Sequence, residues 1–281
     1  MFEQFIGTGI PPAIFWVFVG LGIIVQGVSK SGFAGGVGLL TIPLMMLVMP
    51  VDKVVATLLP LLILLDFNAI YHHRRNKIWD HILAIYLPSL SGILAGAFLW
   101  WWIGQEGVEA YSVSIKRFVG VIAILFALYI LARERAHDWV HRLRFGRRSA
   151  WTAGSLAGFT STMAHSAGPI VSLYMFSQGM GKSLFVGTTA WTFMLINLTK
   201  LPFFIGVGLI RKDVLFFDAV LVWLIPLGSF LGKWMHDRIA ERTFNRVIMF
   251  FVLVAGLQLI TNVNLILIVL EKLVRPFLRS V

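Results

Sequence analysis

Long apolar runs separated by short polar intervals dominate the chain. Residues 54–71, 82–103, 118–132, 185–208 and 247–260 are filled mainly by Leu, Ile, Val and Phe. Apolar stretches of about 18 to 26 residues, taken as helices, match the apolar core of a bilayer. Trp, Tyr, Arg and Lys gather at their ends, as expected at a membrane–water interface. The pattern predicts spans over 53–73, 81–103 and 116–133, then over 184–208, 214–235 and 244–262.

Two stretches depart from this pattern in the same way. Residues 13–29 are apolar, 30–36 are small, polar and glycine-rich, and 37–49 are apolar again. One helix over 13–49 would be about 55 Å long, far more than a bilayer. The stretch is therefore expected to fold back as two short helices around a turn at 30–36. A second stretch repeats the plan, with 150–160, a turn at 161–168, and 169–178. Glycines permit such turns and close backbone approach. Irregular backbone at membrane depth survives only where protein or a polar cavity covers it. Both turns are expected to line a cavity.

The resemblance extends to register. An offset of 131 lays the segment at Gly27 on the one at Gly158, Ser31 on Thr162, Thr57 on Thr188 and Asp66 on Asn197. At slightly larger offsets Pro88 falls on Pro226, and Gly92-x-x-x-Gly96 on Gly228-x-x-x-Gly232. The implied organisation is a first transmembrane repeat at 1–133, a basic cytoplasmic linker at 134–149, and a second repeat at 150–281. If each opening segment folds back, each half crosses the membrane an odd number of times and the halves are inverted. The expected fold is an all-α polytopic membrane protein of two inverted helical repeats. Each repeat opens with a broken or re-entrant helix pair around a Gly-rich turn. Eight and ten membrane segments both fit. Inverted repeats with broken helices at the midplane are a recurring transporter plan.

Composition strengthens the membrane reading. Of 281 residues, 58% are hydrophobic and 13% are charged, about half the charged share of a soluble domain. The net charge of +11 sits between apolar runs, where it acts as a topology signal, so no nucleic-acid partner is expected. The distribution puts Arg74–Lys77 and the basic stretch 133–148 on the cytoplasmic side. Inversion then puts both termini outside, although Lys272, Arg275 and Arg279 pull the other way. The start lacks the basic region of a cleaved signal peptide, so the first apolar segment is expected to be retained. There is no cysteine, which excludes disulfides, iron–sulfur clusters and thiol catalysis.

Polar groups inside apolar runs are costly and so are functional candidates. Lys200 lies in such a run beside Asn197 and Thr199, and Asp66 and Asn68 occupy the matching region of the first half. Lys200 supplies a cation for an anionic substrate. Asp66 and His165 are candidates for proton coupling. Lys30, Ser31, Gly35 and Gly36 belong to the first turn, and Ser161, Thr162, His165 and Ser166 to the second. A helix that starts after each turn offers unpaired N–H groups and a positive dipole end, which suit an oxyanion. Structural alternatives exist for each: a Lys200–Asp66 ion pair, a lysine reaching the interface, ordinary capping, a packed histidine. Other features call for no chemistry. His72, His73 and His81 lack an acidic cluster at metal-ligand spacing. Trp100, Trp101 and Trp102 read as an interfacial anchor. No P-loop is present, and adjacent His165 and Ser166 are a poor start for a nucleophile–base pair. No enzyme activity, metal or cofactor is expected.

The stretch Ser29-Lys-Ser-Gly-Phe-Ala-Gly-Gly-Val-Gly-Leu-Leu-Thr-Ile-Pro43, its degenerate second copy, and the Pro88…Gly92-x-x-x-Gly96 segment resemble the sulfite exporter TauE/SafE family of permeases. The second copy departs from the pattern at Met163, His165 and Pro169. The resemblance covers nearly the whole chain. It implies a multi-pass secondary transporter of the bacterial inner membrane that moves sulfite, sulfoacetate or another organosulfonate without ATP. Expected partners are a small anion, protons and lipid; oligomeric state is left open. An anion channel and a non-transporting membrane scaffold are the alternatives.

Overall fold

The computed structural model describes residues 2–32, 37–135, 146–238, 241–263 and 268. Among these the regular structure is helical throughout. In chain order the helices are α1 (Pro12–Gly32), α2 (Thr41–Met46), α3 (Val51–His73), α4 (Trp79–Glu106), α5 (Val108–Arg135), α6 (Arg147–Ala164), α7 (Gly168–Ser177), α8 (Lys182–Gly206), α9 (Lys212–Leu221), α10 (Leu224–Arg238) and α11 (Glu241–Thr261). Single turns of 3-10 helix at Glu3–Phe5 and Val37–Leu40 precede α1 and α2. Five helices (α1, α3, α4, α5 and α8) are long and apolar enough to cross a membrane. The pair α9 and α10, bent by 43° at a short break, makes up to six. Helices α7 and the apolar part of α11 are shorter. The protein is thus a multi-pass membrane protein, and the predicted spans coincide with α3, α4, α8, α9–α10 and α11 to within three residues, while α5 begins eight residues before the predicted 116.

Local chemistry sets the helix ends. Pro50 caps the start of α3, where its missing N–H costs nothing. Gly107, at a φ of +94°, stops α4 and lets α5 begin at once. Pro60 lies inside α3 and deprives the preceding turn of one N–H donor, which neighbouring helices can compensate in a membrane protein.

Both opening segments differ from expectation in where they break. Helix α1 runs on through Lys30 to Gly32, so Lys30 and Ser31 sit on its last turn. A cation is stabilised there by the negative end of the helix dipole. Gly35 and Gly36 lie outside the described residues. In the second half α6 continues through Ser161 and Thr162 to Ala164, and the break is confined to 165–167. The basic linker lies mostly outside the described residues; α6 begins near its end, at Arg147.

Packing follows a fixed set of partners. Helix α4 packs most extensively on α6, α1 on α10, α5 on α11, and α3 on α8. The first three contacts are glycine crossings. A Cβ on Gly27 would lie 2.9 Å from the Gly228 Cα, one on Gly158 2.1 Å from the Ser89 oxygen, and one on Gly120 2.6 Å from the Gly256 oxygen. Small residues let the backbones meet and interlock, which drives helix association in lipid. Large apolar side chains such as Phe98, Leu125, Trp223 and Phe230 face outward, as a lipid-facing surface requires. Trp100 behaves otherwise than expected. It is 2% exposed and donates its indole N–H to the Thr162 carbonyl at 3.0 Å, so it belongs to the α4–α6 contact; only Trp101 and Trp102 face outward. At one end of the molecule Phe2, Phe5, Phe15 and Trp16 pack around Phe217, with Phe5 stacked at 4.3 Å.

Candidate functional site

The two opening segments and the central pair α3 and α8 enclose a cavity of about 120 Å³. A single water needs only about 10–15 Å³ on the same measure, so a small oxyanion fits. Gln26, Ser29 and Lys30 reach it from α1, and Ser161 and His165 from α6 and its break. Ala167, Gly168 and Ser172 come from the start of α7, and Thr189, Phe193 and Asn197 from α8. Leu39, Ile42, Leu58, Leu62, Phe185 and Val186 complete the wall, leaving polar groups on one part and hydrocarbon on the rest. The backbone comes close at Gly38, where a Cβ would lie 2.5 Å from the Gln26 Oε1.

Two polar networks back this cavity. In the first, the Lys30 ammonium bonds the Asp66 carboxylate at 2.5 Å and lies 4.5 Å from the centre of the Phe193 ring. The Asn197 amide donates to the other carboxylate oxygen at 2.7 Å. Asp66 is fully buried and the Lys30 side chain is 19% exposed. In the second network the fully buried Lys200 ammonium has three partners: the Ser161 carbonyl at 3.1 Å, the Ser161 hydroxyl at 2.8 Å and His165 Nδ1 at 3.0 Å. These match the three protons of an ammonium. The other ring nitrogen, Nε2, lies 2.8 Å from the Val55 carbonyl. A carbonyl only accepts, so Nε2 carries the proton and Nδ1 accepts from Lys200; the ring is neutral in this arrangement. His165 also sits at a φ of +49°, a left-handed conformation that closes α6 where glycine or asparagine is usual. That conformation turns its ring from α6 across to α3.

A sequence model of the sulfite exporter TauE/SafE family matches residues 18–259, which includes every residue of both networks. The chain belongs to the sulfite exporter TauE/SafE family. No curated protein and no solved structure gives a significant match.

Within this TauE/SafE chain the sequence-selected residues separate into groups. Lys30, Ser161, His165 and Asn197 line the cavity, and Asp66 lies directly behind Lys30 and Asn197. Lys200 does not line it; it stands behind Ser161 and His165. Asp66 takes Lys30 and Asn197, rather than Lys200, as its hydrogen-bond partners. Three candidates lie elsewhere. Thr199 pairs with the Tyr86 hydroxyl of α4 at 3.0 Å, because a residue two positions from Asn197 points away from its face. Thr162 bonds back to the Gly158 carbonyl and packs on Gly96. Ser166 bonds the Ala164 carbonyl. Gly35, Gly36 and the Ser31 side chain lie outside the description.

Ser172 and Thr189 were not singled out in the sequence. Both line the cavity, are 5% and 8% exposed, and have hydroxyls with no hydrogen-bond partner among the described residues. Ser172 stands at the 131 offset from Thr41, whose hydroxyl bonds the Gly22 carbonyl and the Gln26 side chain. The repeat therefore offered a signal for Ser172.

Proposed function

We propose that this TauE/SafE protein is a secondary transporter of the bacterial inner membrane that exports a small sulfur-containing anion, sulfite or an organosulfonate, coupled to the proton gradient. One observation carries the reading: the cavity between the two broken segments is lined by one partly buried lysine, Lys30, and backed by a buried lysine, Lys200, and a buried carboxylate, Asp66. An ionised group away from water is costly unless paired. The positive charge left over is what an anion would neutralise. The α7 N-terminus, at Ala167 and Gly168 on the cavity wall, adds the positive end of a helix dipole. Lys30, Ser161, His165 and Asn197 are the direct contacts in this reading, and Lys200 contributes its charge through Ser161.

Coupling follows from competition for Lys30. An anion arriving at the ammonium competes with the Asp66 carboxylate that already holds it. A proton on Asp66 removes the competitor and frees Lys30. His165 is the second proton-coupling candidate in the same wall; Lys200 holds its Nδ1, so it can take a proton only as that contact is given up.

The packing supports two halves related by exchange, as the inverted reading requires. Under the 131 offset α6 corresponds to α1 and α8 to α3; the proline and glycine match makes α10 the counterpart of α4. Exchanging the halves turns the α1–α10 contact into the α6–α4 contact and returns α3–α8 and α5–α11 to themselves. A cavity on that exchange axis suits alternating access by one half rocking against the other. The test is reconstitution in liposomes loaded with sulfite or methanesulfonate. Efflux that speeds up under an imposed pH gradient is expected. Absence of protein-dependent flux of either anion would refute the transport reading, and gradient-independent flux would remove the coupling.

A further inference from the structure

We infer that the cavity selects its anion by valence, taking singly charged oxyanions, with the count set by Lys30 and Lys200 against Asp66. The inference rests on the transport reading above and names the substrate class of that same site.

Among the described residues, the charged side chains that line the cavity or bond a lining side chain are Lys30, Asp66 and Lys200. His165 adds no charge in its Nε2–H form. Lys30 and Asp66 neutralise one another. Lys200 is met only by a carbonyl, a hydroxyl and a ring nitrogen, which satisfy its protons without cancelling its charge. With Lys200 as an ammonium, one positive charge therefore remains, one hydroxyl away from the cavity. A monoanion brings the interior to neutrality. A dianion leaves it one negative charge in excess, in surroundings where unbalanced charge is expensive. Two further groups suit an oxyanion: the unpartnered hydroxyls of Ser172 and Thr189, both more than nine-tenths buried. They can donate to two of its oxygens, while the leucine, isoleucine and phenylalanine wall accepts an apolar substituent on the third side.

The rule divides the sulfur anions a TauE/SafE protein could meet. Hydrogen sulfite and simple alkanesulfonates carry one charge and fit. Sulfate, fully ionised sulfite and sulfonates that also bear a carboxylate carry two and leave the interior one negative charge in excess.

Methanesulfonate and sulfate are the probes, because both are tetrahedral, similar in size, and differ by one charge. Binding of each to the purified full-length protein is measured by calorimetry at constant ionic strength and neutral pH. The wild type should favour methanesulfonate by tenfold or more. Asp66→Asn raises the count to two and should move the ratio towards sulfate by tenfold or more. Lys30→Gln with Asp66→Asn returns the count to one and should restore the original preference. Lys200→Gln lowers it to zero and should cost methanesulfonate tenfold or more. A wild type that prefers sulfate, a ratio unmoved by a folded Asp66→Asn, or undiminished methanesulfonate binding by Lys200→Gln would each overturn the valence rule. Should Asp66→Asn fail to fold, the wild-type ratio and Lys200→Gln decide. A folded wild type that binds neither anion would instead refute the underlying site.

Discussion

Gly92 and Gly104 lie on the same helix, and changing each to alanine is expected to act in opposite directions. A Cβ on Gly92 would sit 1.9 Å from the Ser155 carbonyl oxygen and 2.5 Å from the Phe159 nitrogen, where ordinary contact begins at 3.4 Å. Both obstacles are α6 backbone, which cannot rotate aside, so α4 and α6 must part by about 1.5 Å. The parting also loosens Gly154 from Ile85, Gly158 from Ser89 and Gly96 from Thr162, all close contacts of the same crossing. Overpacking of this kind costs about 1–3 kcal/mol, and a backbone obstacle puts Gly92→Ala at the upper end. Gly104 has nothing within 4 Å of its Cβ position, so Gly104→Ala gains helix propensity worth up to about 1 kcal/mol. At roughly 2–4 °C per kcal/mol for a large domain, Gly92→Ala should melt roughly 6–12 °C below the wild type. Gly104→Ala should melt level with it or slightly above. The assay is thermal unfolding of the three purified proteins in one detergent. Gly92→Ala melting at or above the wild type would refute the close crossing of α4 and α6.

Three further outcomes are expected. His165→Gly suits the positive φ at that position but takes one of three partners from Lys200 Nζ and the ring contact from the Val55 carbonyl; a buried group left short of a partner is costly, so melting should fall along with a several-fold loss of anion affinity, and unchanged affinity would take His165 out of the site. Asp218 is 5% exposed, and neither carboxylate oxygen has a hydrogen-bond partner among the described residues. An unpartnered buried polar group costs about 1–3 kcal/mol, so Asp218→Leu should raise the melting temperature, and a lower one would mean that the carboxylate is paired. Tags at the N-terminus and within 133–148 should be labelled from opposite sides of the membrane; labelling of both from the cytoplasm would refute inversion.

The spans and glycine crossings were legible because lipid imposes both. Length fixes which apolar runs cross, and only glycine lets two helix backbones touch. Asp66 and Asn197, matched in the sequence by the 131 offset alone, are in contact at 2.7 Å. Rotational phase was not legible. In water the apolar stripe marks a helix's inner face, but in lipid the outer face is apolar as well. Nothing in the sequence said that Asn197 meets the cavity while Lys200 lies behind it, or that Trp100 turns inward beside two tryptophans that do not. Ser172 and Thr189 were missed for a related reason. A hydroxyl in an apolar helix usually bonds back to its own backbone, as Thr192 does to Thr188, and three-dimensional packing shows that these two, among others, do not.

The Asp66–Asn197 contact also bears on ancestry. If the two halves descend from one shorter chain that paired with an inverted copy of itself, each position on the exchange axis once faced its own duplicate. A carboxylate there would have met a carboxylate at hydrogen-bonding range, an arrangement in which both cannot stay ionised; an amide would have met an amide and offered Lys30 no counter-charge. A matched acid and amide can arise only after the copies are joined, or encoded separately, so that one can drift while the other is kept. Proton-responsive chemistry at this point would then be younger than the fold that houses it, and a single-repeat ancestor would have lacked it.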